Sequence, residues 1–258
     1  QADEQPGAYF SVEHAARAIR AIESFKHTKG RWGGAPLKLA TWQKVWVVAP
    51  IFGWVYHDEE IDRTVRVIRS ALVEVPRKNG KSTLSSGIAL TLLLADREMG
   101  AEVYAAAGSL EQAGRVAEDA KRMAMTSKAV RGRVEVLRSV IRVPRTGGLF
   151  RPLSKIAETA HGLNVSGAII DELHVHKSRD LVDAILTGTG ARDQPLSLFI
   201  TTADEGKEGT IYDEIHTYNQ RCAEGVIQDP QQYGAIWAAP EDADPFDPET
   251  WQRANPGL

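Results

Sequence analysis

Apolar residues recur along this chain in spacings that predict two helices first, and then strands and helices in alternation. Residues 9–30 place apolar side chains three or four positions apart, which predicts a helix, and Ser11 is a good N-cap for it. A second apolar helix is predicted between residues 37 and 51. Short runs of small and β-branched residues then predict strands. We expect strands at residues 68–73, 101–107, 134–137, 139–144, 149–153, 167–171 and 196–203, with helices at residues 84–95 and 110–125.

The loop between the strand at residues 68–73 and the helix that follows it is typical of a phosphate-binding loop. It breaks at Pro76, passes through Gly80 and enters the helix at Lys81-Ser82. Backbone N–H groups and the positive end of the helix dipole form an anion site at such a helix start. Lys81 adds a positive charge for the β- and γ-phosphates, and the Ser82 hydroxyl can hold Mg²⁺.

This loop departs from the standard pattern G-x-x-x-x-G-K-[ST], because Val75 occupies the first glycine position. A surface turn that happens to contain Gly-Lys-Ser is the alternative interpretation. The strand before the loop and the apolar helix after it argue against that alternative. With strands and helices alternating around the loop, the sequence predicts an α/β fold of the P-loop NTPase type (ASCE-like), with a mostly parallel sheet sandwiched between helices.

Two later strands end in polar residues. Asp171 and Glu172 follow a buried run that looks like a parallel strand whose carboxyl end reaches the active site. We expect Asp171 to hold Mg²⁺, directly or through water, and Glu172 to polarise the water that attacks the γ-phosphate. Thr201 and Thr202 end another buried strand, where hydroxyls can hydrogen-bond a γ-phosphate or its attacking water.

Charge is distributed unevenly, although the net charge of the 258 residues is only −3. Seven Asp or Glu residues and no Lys or Arg lie between residues 224 and 252. A preceding basic stretch, residues 121–155, indicates either a polyanionic or acidic partner or merely a solvated face. Against one acid, Glu135, it holds Lys121, Arg122, Lys128, Arg131, Arg133, Arg138, Arg142, Arg145, Arg151 and Lys155.

Composition places the chain among ordinary soluble globular proteins, with 43% hydrophobic and 25% charged residues. No apolar run reaches the length of a membrane span, so no membrane partner is predicted. The polar amino terminus has no signal-peptide pattern. A single cysteine, Cys222, excludes an internal disulfide, which fits a reducing compartment.

Taken together, these residues resemble the ATPase domain of the large terminase subunit, the DNA-packaging motor of tailed bacteriophages. The resemblance runs from about Leu37 to Leu258. It rests on four segments: Trp42-Gln43, the glycine-poor loop at residues 75–82, Ile169-Ile-Asp-Glu-Leu-His174 and Phe199-Ile-Thr-Thr-Ala203. The closing residues 251–258 look like the family's passage out of the ATPase domain.

The resemblance implies a role for each matching residue. Gln43 would read the adenine edge, and Trp42 would either cover the base or lie in the core. Arg77 is similar to a cis-acting finger and would stabilise the γ-phosphate together with Lys81, while Glu172 would be the catalytic base. The nucleotide would contact Trp42, Gln43, Pro76, Arg77, Lys78, Asn79, Gly80, Lys81, Ser82 and Thr83. Mg²⁺ would be held by Ser82 and Asp171, and the coupling motif would be Thr201, Thr202 and Ala203.

One departure concerns the arginine that related motors direct into a neighbouring subunit. They often carry an Arg-Gly pair ten residues before the Mg²⁺ aspartate, where this chain has His161-Gly162. The trans-acting arginine therefore stays open among Arg151, Arg145, Arg142 and Arg192. The histidines His161, His174 and His176 are interpreted as ordinary loop residues, without a metal site.

The resemblance also predicts domain organisation, partners and activity. Residues 1–36 would be a helical segment, residues 37–240 the ATPase domain, and residues 241–258 an acidic, proline-rich linker towards a nuclease domain, so no nuclease activity is expected. The chain would hydrolyse ATP with Mg²⁺ to translocate double-stranded DNA, in a ring on the procapsid with the portal protein and the small terminase subunit, in the cytoplasm of the infected bacterium. The isolated domain is expected to be monomeric and slow. A helicase-like remodeller and a non-hydrolysing nucleotide-binding scaffold are the alternatives.

Overall fold

The computed structural model describes residues 1–96, 98–153, 162–176, 179–204, 208–240 and 242–258. Its strands are β1 (Tyr9–Phe10), β2 (Trp54–Asp58), β3 (Arg63–Arg66), β4 (Ser70–Glu74), β5 (Glu102–Ala106), β6 (Glu135–Val136), β7 (Ile141–Val143), β8 (Gly148–Leu153), β9 (Val165–Asp171), β10 (Leu196–Thr201) and β11 (Gln232–Ile236). Its α-helices are α1 (Val12–Glu23), α2 (Thr41–Gln43), α3 (Ala49–Gly53), α4 (Lys81–Ala95), α5 (Leu110–Thr126), α6 (Asp180–Thr187), α7 (Ile211–Ala223) and α8 (Pro248–Ala254). Short 3₁₀ helices lie at Ala2–Glu4, Gly30–Trp32 and Leu173–Val175, and a π-helix lies at Lys44–Val48.

In the described part of the chain, eight strands form the main sheet in the order β11-β4-β10-β9-β5-β8-β7-β6. The strands from β11 to β8 are parallel, whereas β7 and β6 add an antiparallel edge. Strand β10 lies between β4, which precedes the phosphate loop, and β9, which ends in Asp171. The predicted fold class is confirmed. Because the carboxyl ends of parallel strands meet at one edge, this order brings the loop and the acids together.

Helix α4 is the centre of the larger of two cores, which also contains α1, α3 and α5. It is apolar on all sides and almost wholly buried. The hydroxyls of Ser86 and Thr91 stay satisfied there by donating to the carbonyls of Ser82 and Gly87. A Cβ at Gly87 would lie 2.8 Å from Ile22 Cγ2, so glycine allows α1 to pack closely on α4. The amino-terminal helix therefore shares the core of the predicted ATPase domain.

The second predicted helix, within residues 37–51, is confirmed as a continuous run from Thr41 to Gly53 with a π-helical middle. Pro50 lies in its last part and has no N–H to donate to the carbonyl of Trp46. The Tyr233 hydroxyl donates to that carbonyl instead, at 2.6 Å. A strand from the far end of the chain thus satisfies the backbone group that the proline leaves open.

Several elements were not predicted from the sequence. Strands β1, β2 and β3 form a small antiparallel sheet, and α6 and α7 cover the second face of the main sheet. Strand β11 extends the main sheet beyond β4, and the predicted linker contains α8 with Asp247 as its N-cap. No helix in the described ranges combines the length and apolar character needed to cross a bilayer.

Candidate active site

The loop after β4 is held at its first residue and turns through two left-handed backbone positions. The N–H of Val75 donates to the carbonyl of Thr201 at 3.0 Å, and the Val75 side chain is fully buried. Lys78 and Gly80 have φ angles of +69° and +75°. Alternation into the left-handed region turns successive N–H groups towards one concavity, which suits an anion. The left-handed positions fall at residues 78 and 80, so the loop does not need a glycine at position 75.

Lys81 is folded back over the loop that it follows. Its side chain is buried, with Nζ donating to the carbonyls of Val75 at 3.0 Å and Pro76 at 3.5 Å. The pKa of Lys81 is lowered, and burial is the largest cause. The negative charges of Glu172 and Asp171 oppose this shift, whereas the positive charge of Arg77 adds to it. The ammonium group therefore lies in the field of both acids, with the exposed Arg77 nearby.

Gln43 contacts the loop directly, and Trp42 packs in the core. Gln43 Nε2 donates to the carbonyl of Asn79 at 3.3 Å, while its Oε1 accepts from the N–H of Ala40 at 3.0 Å. Trp42 is buried and packs edge-on against Trp237 with the ring centroids 5.1 Å apart. The structure thus places Trp42 in the core, which is one of the two positions considered from the sequence.

The carboxyl-terminal residues return to the phosphate loop. Asn79 Nδ2 donates to the carbonyl of Pro76 at 3.1 Å and to Asn255 Oδ1 at 3.4 Å. A Cβ at Gly257 would lie 2.4 Å from Asn79 Oδ1, so a larger residue there would displace the Asn79 side chain. Sequence reasoning did not predict this contact, because no local pattern joins positions 176 residues apart.

Asp171 and Glu172 lie at the end of β9 in a compact arrangement. The N–H of Glu172 donates to Asp171 Oδ1 at 3.0 Å and to the carbonyl of Ile200 at 2.9 Å. Burial, and then the charge of Glu172, raise the pKa of Asp171 to about 6. Glu172 has a φ of +51°, a costly conformation for a residue with a side chain. This strained backbone leaves the Glu172 side chain 30% exposed beside the loop.

His174 is not the ordinary loop histidine that the sequence indicated. It lies in the 3₁₀ helix after Glu172, with Nδ1 3.0 Å from Thr201 Oγ1 and 3.4 Å from Glu172 Oε2. The Thr201 hydroxyl donates to the carbonyl of Thr202 at 2.9 Å, so its oxygen accepts from His174. The His174 Nδ1–H therefore faces both Thr201 and Glu172. His176 differs, since its Nε2 lies 3.3 Å from the carbonyl of Asp171 and burial lowers its pKa.

The other predicted site residues lie around this centre. Ser82 is exposed and Thr83 half-buried in the first turn of α4, while Thr202 is half-buried and Ala203 exposed after β10. Among the residues that the structure describes, the predicted nucleotide, Mg²⁺ and coupling residues lie on or beside the segments that end at one edge of the sheet, while the Trp42 ring packs in the core. His161 and Lys155 lie outside the described residues.

The four candidate trans-acting arginines lie in different surroundings. Arg151 is exposed, stands over the Tyr104 ring at 5.5 Å, and comes two residues before the carboxyl end of β8. Arg142 lies on β7 and Arg145 lies two residues after it, and both are exposed. Arg192 donates to the carbonyls of Asn164, Met99 and Gly100 at the opposite edge of the sheet. Its guanidinium is thus engaged within its own chain.

This fold and edge arrangement define a phosphate-loop nucleotide site in an α/β domain. The chain belongs to the family of terminase large-subunit ATPase domains, because the family described as "Terminase large subunit, ATPase domain" matches residues 41–220, more than half of the chain. The resemblance inferred from the sequence is therefore confirmed.

Individual relatives agree with this assignment. The large terminase subunit of Enterobacteria phage HK97 is 28% identical over 249 residues, covering 94% of this chain and 46% of that protein. Protein YmfN of Escherichia coli K12 is 32% identical over 127 residues, covering 49% of this chain and 27% of that protein. The crystal structure of the HK97 large terminase superposes with a TM-score of 0.76 at 26% identity, over 95% of this chain and 48% of that one. The chain thus spans less than half the length of these relatives.

Replacing the buried charge at Asp171 should stabilise the folded protein. A folded-state pKa of about 6, above the ordinary 3.8, means that the ionised carboxylate opposes folding at neutral pH. Asp171→Asn keeps the contact with the Glu172 N–H, and we expect it to raise the free energy of unfolding by about 1–3 kcal/mol at pH 7.5. The gain should be smaller at pH 5, where the folded protein already carries the proton.

Urea unfolding at both pH values measures this change in stability. Asp119→Asn is the matched control, because Asp119 is also buried but is paired with Lys29 at 2.8 Å, so the same substitution should destabilise there. A loss of stability in Asp171→Asn at pH 7.5 would contradict the electrostatic account of this site.

Proposed function

We propose that this chain is the ATP-hydrolysing motor domain of a phage large terminase, which moves double-stranded DNA into a procapsid in the infected bacterial cytoplasm. The portal protein and the small terminase subunit are its proposed partners there. One observation carries the proposal: Lys81, Glu172 and Thr201 converge at the carboxyl edge of three neighbouring strands, with His174 joining the last two. A site that only bound nucleotide would not need the second acid beside Asp171.

Hydrolysis follows from the roles of these side chains. The loop N–H groups and Lys81 bind the β- and γ-phosphates of ATP, and Gln43 reads the adenine. Glu172 takes the proton of a water whose oxygen forms the new bond to the γ-phosphorus. The bond from that phosphorus to the bridging oxygen breaks, which leaves ADP and inorganic phosphate. Arg77 and Lys81 stabilise the charge that develops on the transferred group.

Asp171 and Ser82 are the residues that would hold Mg²⁺, and their surroundings fit the ion. The Asp171 carboxylate is 7% exposed, and no Lys or Arg in the described ranges forms an ion pair with it. Mg²⁺ prefers oxygen ligands and usually combines one or two protein groups with waters and substrate phosphates. When bound, the ion would neutralise phosphate charge. In the described part of the chain no cluster of three or more His, Cys, Asp or Glu side chains offers another metal site.

A neighbouring copy is proposed to complete the site in a ring. Arg151 is the best-placed donor of a trans-acting charge, because it is exposed and lies closer to the carboxyl edge than Arg142 and Arg145. Arg192 is a poorer candidate for this role, because its guanidinium already donates to backbone carbonyls of its own chain. An isolated domain would lack this charge and turn over slowly.

Removing the proposed base should abolish turnover while leaving nucleotide binding intact. We expect Glu172→Gln to lower the rate of Mg²⁺-dependent ATP hydrolysis by about 100-fold or more, as for other general bases. Wild-type turnover should also rise more steeply than linearly with protein concentration, because assembly supplies the trans-acting arginine. A phosphate-release assay over a concentration series measures both effects.

Glu13→Gln, on the exposed side of α1, is the control for the Glu172 substitution. Unchanged turnover in Glu172→Gln would refute the assignment of the base. Turnover strictly proportional to protein concentration would remove the neighbouring copy from the mechanism.

The basic stretch at residues 121–155 presents an exposed basic face, and this face supports the DNA part of the proposal. Arg131 and Arg133 are exposed in the turn after α5, whereas Lys121 is buried and bonded to Glu118 and the carbonyl of Arg138. Exposed arginines that meet phosphates release counterions, so binding weakens as salt rises.

Reversing the charge of this face should weaken the response to DNA. Arg131→Glu with Arg133→Glu should at least halve the stimulation of ATP hydrolysis by double-stranded DNA and lower the salt slope of DNA binding by about 2. Arg17→Glu with Arg20→Glu, on the exposed side of α1, makes the same charge change elsewhere and should have no such effect. Equal stimulation in both double variants would exclude the basic face as the DNA contact.

A further inference from the structure

The last residue of β4 is a buried carboxylate with no part in the chemistry proposed above. Glu74 is 1% exposed and directly precedes the phosphate loop. Its neighbours across the sheet are Thr201 of β10 and Ile236 of β11. Leu72, two positions earlier on the same strand, packs in the core beneath α7, so the Glu74 side chain points to that helix as well.

Two side chains of α7 bind this carboxylate. Glu74 Oε2 accepts from the Tyr212 hydroxyl at 2.8 Å and contacts His216 Nδ1 at 2.8 Å. Tyr212 and His216 are four positions apart and therefore share one face of α7, where their rings stack with centroids 5.4 Å apart. No donor in the described ranges reaches Glu74 Oε1. The side-chain hydrogen bonds of this buried carboxylate within those ranges are therefore the two that Oε2 makes with Tyr212 and His216.

A buried carboxylate held in this way fixes the helix in one place. Removing either partner would leave charge buried without compensation, which is costly, so α7 cannot slide along β4 without breaking the contacts. The Glu74 hydrogen bond raises the pKa of His216, against the opposing effect of burial. Burial and the Glu74 contact also raise the pKa of Tyr212, so the phenol keeps its proton to donate.

The same carboxylate joins α7 to the parts of the site that contact nucleotide. The residue after Glu74 is Val75, which binds the Thr201 carbonyl through its N–H and the Lys81 ammonium through its own carbonyl. Thr201 in turn contacts His174, the neighbour of Glu172. A continuous chain of contacts therefore runs from the phosphate loop and the proposed base to α7.

We propose that Glu74, Tyr212 and His216 are positioning residues that couple nucleotide binding at the phosphate loop to helix α7. This inference rests on the proposed function, since it assumes that the loop binds ATP and ADP. Nucleotide at the loop shifts Lys81 and Val75, β4 transmits the change through Glu74, and α7 responds as one body. A merely structural contact would stabilise α7 to the same extent with and without nucleotide, and this difference makes the proposal testable.

Hydrogen–deuterium exchange with and without Mg²⁺–ADP tests the coupling on the intact chain. In the wild type we expect ADP to slow exchange of the amides in residues 211–223 by about fivefold or more, the lower end of common allosteric couplings. In Tyr212→Phe and in Glu74→Gln the ADP-induced change in α7 should disappear, while residues 75–84 remain protected by ADP. Tyr218→Phe is the matched control, because it removes a hydroxyl from an exposed side chain of the same helix, where that hydroxyl donates to Asp229, and its ADP effect should equal that of the wild type.

A pH series adds a second readout. The titratable groups around His216 are Glu74 of β4 and Tyr212 and Asp213 of its own helix, and Asp204 lies near Tyr212. The charged contact is complete below the ordinary histidine pKa of 6.5 and is lost as the pH rises through the raised value. In the wild type, the slowing of α7 amide exchange by ADP, corrected for intrinsic exchange, should therefore decline above pH 6.5. In His216→Gln it should not change with pH.

Each outcome of the exchange experiment decides a different claim. Protection at residues 75–84 but not in α7 would overturn the coupling while leaving the nucleotide site intact. Faster exchange of α7 in the variants, with the ADP effect unchanged, would reduce the three residues to a structural contact and also overturn the inference. No protection by ADP at residues 75–84 in the wild type would defeat the proposed function, and the coupling with it.

Discussion

The backbone of Val75 is held from two sides, and this constraint sets the geometry of the whole site. Its N–H donates to the carbonyl of Thr201, so the loop starts in register with β10, and its carbonyl accepts from the Lys81 ammonium. The start of α4 is thereby fixed at the carboxyl edge of the sheet, with its N–H groups directed outwards. The helix can hold this position because it is buried along almost its whole length.

The site keeps several costly features close together. Asp171 is buried beside Glu172, and Glu172 and Lys78 have left-handed backbone conformations. Such features lower stability and are found where function requires them. The surrounding core offsets the cost, since β9, which ends in Asp171, lies in the middle of the sheet and is buried on both faces. Stability and the proposed chemistry therefore oppose each other most directly at Asp171.

The sequence was sufficient for the parts of the site that lie on local patterns. The strand, loop and helix from Ser70 to Ala95, and the strand ending in Asp171, were predicted because hydrophobic periodicity and turn residues mark them directly. Family resemblance then supplied roles that periodicity cannot give, such as those of Gln43 and Arg77.

Contacts between distant segments could not be predicted in the same way. His174 looked like a loop residue because its partner Thr201 is 27 positions away, and the contact of Asn255 with the loop spans 176 positions. Helix α7 has many polar residues, so its apolar stripe is weak until β4 and Glu74 are placed against it. The position of Trp42 could not be predicted for a different reason: an aromatic residue beside a nucleotide motif can either cover the base or pack in the core.

The central claim is that Lys81 and its loop form a nucleotide site, and calorimetric titration with Mg²⁺–ADP tests it most directly. We predict one site per chain in the wild type and at least about tenfold weaker binding in Lys81→Ala, a loss of about 1.4 kcal/mol or more. Lys128→Ala removes the same charge from an exposed position beyond α5 and should bind like the wild type. Equal affinity in Lys81→Ala and the wild type, or no binding by the wild type, would contradict the account.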